Sequence, residues 1–431
     1  MIDRPPRLTR TSLGRAARPN PPKVLALILA GGKGSRLMPL TQSRSKPAVP
    51  FGGAYRIIDF VLSNFYNSGI MGMHVMVQYR AQSLIEHLRK AWRIGDGERQ
   101  FVTVVPPQMN SGAGWYEGTA DAVFQNMNLI YDFGPDIVAV FGADHIYRMD
   151  IRQMLRFHVD CEADVSVATL PVPVSSAQGF GIVETDGSSR VVSFEEKPAV
   201  PKPMPGDPSR ALASMGNYLF RTDVLTQALE EDVKAGGSHD FGRDILPRLL
   251  RMNRVMAYNF QDNEVPGTAY HEEPGYWRDV GTLQAYWQAN MDLLGDTPPC
   301  DLRNPEWPIR TDPSSGPPAS LVNCYVDRAF IGEGSQLIEA DIRRCIIGRN
   351  VRVEAGVQIE DSVIFDHTHI GSGARLQRVV VDRQNTILAG VELGAQEGEP
   401  SPEAEWTESG LVVLPKPMVP NDAGKSRPSS C

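Results

Sequence analysis

Cysteine is scarce and scattered in this sequence. Cys161, Cys300, Cys324, Cys345 and Cys431 are spread over 431 positions, with no C-x-x-C pair. That spacing excludes a disulfide framework and a cysteine zinc site, and it fits a reducing cytoplasm. Long apolar runs are missing as well: none reaches the ~18 residues of a membrane span, so no membrane partner is expected. Basic charge is not in excess. Lys and Arg total 43 against 51 Asp and Glu, a formal net charge of −8. Nucleic-acid binding rests on a basic balance, so no nucleic-acid partner is expected.

What remains is an ordinary globular composition, in a chain long enough for two or more domains. Residues 1–22 mix Arg4, Arg7, Arg10, Arg15 and Arg18 with five prolines and one acid, Asp3. They read as a disordered basic tail, with a targeting segment as the alternative. Over 23–297 short apolar runs alternate with amphipathic stretches. Strands are expected at 24–29, 74–78, 137–141, 165–170, 181–184, 191–195, 216–220 and 255–260. Helices are expected at 83–91, 120–131, 151–161 and 225–235. That alternation predicts an α/β class, a doubly wound sheet with its ligand at the carboxyl ends of the strands.

Residues 298–320 hold seven prolines and read as a linker. Over 321–415 the texture changes. Ile331-Gly332, Ile347-Gly348 and Ile370-Gly371 recur among β-branched residues, the hexapeptide pattern of a parallel β-helix. Gly410–Leu414 can add one strand, and residues 416–431 read as a polar tail.

Several stretches carry chemistry. The first apolar run ends in Gly31, Gly32 and Gly34, then Arg36. Such a turn lets backbone N–H groups approach an anion, and Arg36 adds a fork suited to phosphate. It is neither a Walker A loop nor the dinucleotide fingerprint, whose third Gly is here Leu37. Lys46, a dozen residues on, can neutralise the same anion. Gly52 to Arg56 and Asp59 are expected to continue a polar surface facing it. Trp115-Tyr116-Glu117-Gly118-Thr119 opens a helix, with Thr119 as its cap and Gly118 allowing close approach. Asp144 and His145 end the apolar strand 137–141, where an acid can hold Mg²⁺ at a nucleotide's phosphates, and Asp279 is a possible second carboxylate. Glu196-Lys197 can take a sugar hydroxyl and a sugar phosphate together.

In this order the motifs resemble those of the glucose-1-phosphate adenylyltransferase family of bacterial glycogen and plant starch synthesis. They are Leu29 to Leu37, Lys46 to Gly53, Trp115 to Ala122, Glu196 to Pro198, Ser238 to Gly242 and Tyr276 to Thr282. The resemblance implies a nucleotidyltransferase-type doubly wound mixed sheet followed by a left-handed parallel β-helix, assembled as a homotetramer. It implies that ATP and α-D-glucose 1-phosphate give ADP-glucose and pyrophosphate. Carried over by motif, Asp144 and Asp279 hold Mg²⁺. Gly31, Gly32 and Arg36 hold the triphosphate, and Arg36 and Lys46 stabilise the departing pyrophosphate. Tyr116, Gly118, Gly181, Glu196, Lys197 and Ser214 fall at substrate positions. Gln78 and Trp115 fall where the substrate site is coupled to an effector site.

At the effector site Arg44, Arg56 and Arg383 match family positions. Ser43 stands in place of a Lys, Pro50 of a His, Asp132 of an Arg and His367 of a Glu. Those exchanges remove positive charge and point to a small anion, pyruvate or fructose 6-phosphate, over fructose 1,6-bisphosphate and AMP. Gly142-Ala143 reverses the family's Ala-Gly order before the metal-binding Asp, which predicts a changed loop. Three alternatives stay open on sequence: a pyrophosphorylase using UTP or dTTP, a subunit without chemistry, and a β-helix with acyltransferase activity.

Overall fold

The strand Val24–Ala30 sits at the centre of a nine-stranded mixed sheet, with Gly72–Val77 and Ile137–Gly142 parallel on either side of it. Phe101–Val105 extends the sheet in parallel beyond Gly72–Val77. On the other side the long strand Arg210–Arg221 runs antiparallel to Ile137–Gly142, and it also pairs with Val165–Pro173 and Gly181–Thr185. The computed structural model describes residues 21–95, 97, 100–108, 115–313, 316–394 and 404–417. The basic-tail expectation therefore falls almost wholly outside the described residues, as does most of the polar tail after 416.

Helices cover both faces of the sheet, and several differ from expectation, Leu246–Leu249 and Leu283–Met291 among them. The stretch expected as one helix over 120–131 is two, Thr119–Phe124 and Met127–Phe133. Asn126 breaks it: its amide donates to the Ala122 carbonyl at 2.8 Å and to the Tyr116 hydroxyl at 3.0 Å. The helix Ile57–Asn67 has no counterpart among the expected ones. Ile57, Ile58, Phe60, Val61, Leu62 and Phe65 are all buried, so the helix lacks the polar stripe that makes a 3.6-residue period visible.

Asp59, in the first turn of that helix, corrects the expectation of a polar residue facing the glycine loop. It is fully buried and accepts from Arg56 N, Trp92 Nε1 and Thr311 Oγ1 at 2.8, 2.8 and 2.7 Å, with His87 Nε2 at 2.7 Å. Four partners offset the cost of burying a carboxylate.

Residues 298–319 carry no helix or strand among those described, yet they are not a free spacer. Cys300, Trp307 and Ile309 are buried. Arg310 N donates to Ser63 Oγ at 2.9 Å and Trp307 Nε1 to Asn64 Oδ1 at 3.3 Å, so the proline-rich segment is strapped along the Ile57–Asn67 helix.

Beyond it three parallel sheets form the faces of a left-handed β-helix. Leu321, Leu337, Val353, Ile370 and Ile387 stack in register on one face, in steps of 16 or 17 residues. The strand expected at Gly410–Leu414 is Val412–Leu414, laid parallel on Val379–Val381. One core joins the sheet domain to the prism. Phe51, Tyr286 and Trp287 meet Ile346, Val363, Phe365 and Val380 there, and Trp287 Nε1 donates to the Asp361 carbonyl at 2.8 Å.

Candidate active site

The carboxyl ends of the central strands open into a cavity of about 1120 Å³. Gly31, Gly32, Arg36, Lys46, Gln78, Trp115, Tyr116, Gly118, Asp144, Gly181, Glu196, Lys197, Ser214 and Asp279 all line it. Arg44, Arg56 and Arg383 do not.

At one end Lys46 lies between two carboxylates, its Nζ 3.0 Å from Asp144 Oδ2 and 2.9 Å from Asp279 Oδ1. Burial works against the Lys46 charge, but Asp144 and Asp279 outweigh it and raise its pKa. Burial would likewise raise the Asp144 carboxyl, but Lys46 and His145 hold it well below the usual carboxylate range. The short strand Trp277–Asp279 pairs antiparallel with His145–Tyr147 and places Asp279 opposite His145. Asp144, His145 and Asp279 offer ligand atoms within 4.8 Å of one another. Two converging carboxylates that already draw an ammonium between them are a donor set that fits a divalent cation.

Gly142 explains the reversed dipeptide. A Cβ there would stand 3.3 Å from Asp144 Oδ1, while Ala143 is buried in the core and donates its N–H to the Leu29 carbonyl. Gly281 keeps similar room, since a Cβ would meet the Asp279 oxygens at 3.0 Å and Arg36 Nη2 at 3.1 Å.

At the other end Glu196 Oε1 lies 3.0 Å from Lys197 Nζ. Gly181 faces Glu196 across the ladder, and a Cβ on it would come 2.9 Å from Glu196 Oε2; on Gly242 the distance would be 2.5 Å. Both positions leave space that the carboxylate fills. Ser214 sits where the pairing of Arg210–Arg221 with Val165–Pro173 shifts register, an irregularity that re-aims the strand toward the cavity. Between the two ends Gln78 Nε2 donates to the Tyr116 carbonyl at 3.2 Å, and Trp115 stays largely exposed. Thr119 is not the cap of its helix: the preceding Gly118 holds the N-cap position, and no side chain caps it.

Residues 25–295 match the nucleotidyl transferase family, and residues 317–414 match the GlmU-like C-terminal hexapeptide family. The glucose-1-phosphate adenylyltransferase of Thermodesulfovibrio yellowstonii is 47% identical over 403 residues, 93% of this chain and 98% of that protein. Those of Anaeromyxobacter sp. and Photobacterium profundum are 47% and 45% identical over 406 and 399 residues, 92% and 91% of this chain and 98% of each relative. The chain belongs to the glucose-1-phosphate adenylyltransferase family. It is a nucleotidyltransferase.

In this family member a second polar site lies where the sheet domain meets the β-helix. Arg44 Nη2 donates to both oxygens of Asp382 at 3.0 and 2.8 Å, and both side chains are buried. Arg56 Nη1 donates to Ser83 Oγ at 3.1 Å and Arg383 Nη2 to the same oxygen at 3.4 Å. Burial, then Arg383 and Arg44, push the Arg56 pKa down to about 10. Arg383 is lowered by burial and Arg44, and Lys416 by burial, Arg383 and Arg44. Sequence reasoning missed Ser83 and Lys416. Lys416 stands at the edge of a polar tail, and Ser83 opens a helix like any surface serine, so neither carries a local signal. Asp240, Phe241 and Gly242 also line the main cavity without an assigned role, although their motif is visible in the sequence.

Proposed function

We propose that the enzyme transfers the adenylyl group of ATP to α-D-glucose 1-phosphate, releasing pyrophosphate and forming ADP-glucose for glycogen synthesis. The observation that carries this reading is the single cavity with Lys46 between Asp144 and Asp279 at one end and the Glu196–Lys197 pair at the other. A phosphate oxygen of the sugar displaces pyrophosphate in line at the α-phosphorus. That oxygen is already ionised, so the residues need to position and neutralise and need not abstract a proton.

The glycine turn presents backbone N–H groups to the triphosphate, and Arg36 and Lys46 offset the charge that develops on the departing pyrophosphate. Asp144 and Asp279 hold Mg²⁺, which when bound neutralises phosphate charge on both reactants. Glu196 accepts from sugar hydroxyls, and Lys197 grips the sugar phosphate beside Tyr116, Gly181 and Ser214. Pyrophosphate release from a panel of nucleoside triphosphates with glucose 1-phosphate tests the reading. ATP is expected to be the best donor, and preference for UTP or dTTP overturns it.

Regulation by a small anion belongs to the same reading. Arg44 repels Arg56, Arg383 and Lys416 in a partly buried site, Arg383 adds to the repulsion on Arg56 and Lys416, and an anion relieves it. Arg44 already has Asp382 as its counterion. Fewer free charges favour pyruvate or fructose 6-phosphate over a bisphosphate. Exposed Leu321, Val322, Tyr325 and Val326 lie on the first coil of the β-helix, and burial of that coil against another subunit supports a homotetramer.

A further inference from the structure

The Ser238–Gly242 segment lies between the Trp115–Thr119 loop and Glu196. His239 holds a left-handed backbone, with φ 53°. Its carbonyl accepts from Ala120 N at 2.8 Å and Asp121 N at 3.4 Å, and so caps the helix that the Trp115–Thr119 loop opens. Gly118 is pressed against this junction. A Cβ there would stand 2.2 Å from the His239 carbonyl oxygen and 2.4 Å from that of Ser238, so the glycine serves protein backbone before it serves a ligand. Thr119 Oγ1 donates to Asp240 Oδ2 at 2.9 Å and accepts from Phe241 N at 3.0 Å.

The imidazole adds a further tie. Nδ1 lies 2.7 Å from Asp232 Oδ2 on the Thr222–Ala235 helix, and Nε2 lies 3.9 Å from Glu117 Oε2 on the Trp115–Thr119 loop. The other charges facing it are Asp121 across the loop, Asp244 on its own segment, and Arg248, which holds the second oxygen of Asp232 at 3.2 Å. Asp240, Phe241 and Gly242 continue from His239 into the cavity wall, and Gly242 abuts Glu196.

We propose that His239 is a positioning residue that ties the Trp115–Thr119 loop, which lines the cavity between its two ends, to the segment that abuts Glu196, and that its protonation tightens binding of both ligands together. Protonated, the ring donates from both nitrogens and attracts Asp232 and Glu117 at once. Neutral, it keeps Nδ1–H on Asp232 and turns a lone pair toward the Glu117 carboxylate, so the link to the Trp115–Thr119 loop is lost. The Asp232 hydrogen bond, with the charges of Asp232, Asp121 and Glu117, outweighs burial and holds the His239 pKa above its usual 6.5, so the ring loses its proton at higher pH than a free imidazole. The identity of the two ligands rests on the adenylyl-transfer reading above.

Calorimetric binding to the full-length enzyme tests it, using glucose 1-phosphate and, separately, an ATP analogue with a non-cleavable α–β bridge, from about pH 6 to about pH 9. His239→Asn tolerates the left-handed backbone and keeps a donor for Asp232, but carries no charge. It is expected to match the wild type at high pH and to bind both ligands about twofold to fivefold more weakly at low pH, the scale of a partly exposed charge pair. Glu117→Gln is expected to flatten the same difference. His239→Ala is expected to weaken both ligands at every pH while the protein stays folded. A His239→Asn profile that tracks the wild type, or an effect on one ligand alone, overturns the proposal. Failure of the wild type to bind either ligand overturns the reading of the function instead.

Discussion

Arg44 and Asp382 lie 338 positions apart in the chain and meet as a buried ion pair, the guanidinium donating to both carboxylate oxygens at the junction of sheet domain and β-helix. Removing the guanidinium leaves the buried Asp382 carboxylate without its two-pronged partner and with the Arg383 N–H, at 2.7 Å, as a remaining donor. Arg44→Ala is therefore expected to lower unfolding stability by about 3–5 kcal/mol, as urea denaturation would read. Unchanged stability with loss of activation alone would return Arg44 to the effector.

Asp144→Asn keeps the shape of the Asp144–Asp279 end of the cavity and removes one of its two negative charges. Turnover is expected to fall by a factor of about 10² or more, with the melting temperature within a few degrees of the wild type. Near-normal turnover in the folded variant would remove Asp144 from the chemistry.

Lys197 reaches from a left-handed backbone, φ 50°, at the sugar end of the cavity. Lys197→Ala is expected to raise the KM for glucose 1-phosphate far more than that for ATP. Equal changes in both constants would place the lysine elsewhere.

Acid stability should depend on His74, buried on the Gly72–Val77 strand against the Phe101 ring at 4.8 Å. Burial lowers its pKa to about 4, below the 6.5 of the unfolded chain. A depressed value means that its contribution is complete above about pH 6.5 and is lost as pH falls toward 4, a span of about 3 kcal/mol. Equilibrium unfolding across that range is expected to show the loss in the wild type and a smaller one in His74→Gln. Identical slopes would refute the assignment.

Eight of the nine sheet strands are legible in the sequence as short apolar runs ended by turn residues, with the glycine turn and Asp144 visibly at two such ends; Phe101–Val105 is not, and Arg210–Arg221 runs well before its expected start at 216. The Ile57–Asn67 helix is not legible, because a helix buried on all sides has no stripe to betray it. Asp59 misleads for a related reason. A carboxylate beside glycines reads as surface until its four partners are seen, three of them from the distant His87, Trp92 and Thr311. The proline-rich strap follows the same rule, since prolines announce the lack of regular structure and say nothing about packing. At the second site Arg44, Arg56 and Arg383 carry a family resemblance, but only the fold reveals that one of them already has a carboxylate partner.

The stacked coils of the C-terminal prism impose a quantum on its length. On the face of Leu337, Val353, Ile370 and Ile387 each inward side chain sits above its equivalent 16 or 17 residues away, so one residue added within a strand would turn that rung inside out. Spare residues fit at the corners, and beyond them the domain can grow or shrink by whole rungs. Each rung gained would lengthen the prism by about 4.8 Å, one strand spacing. Because the sheet domain rests on the flank that holds Ile346, Val363 and Val380, a rung added at the far end would leave the catalytic cavity where it is.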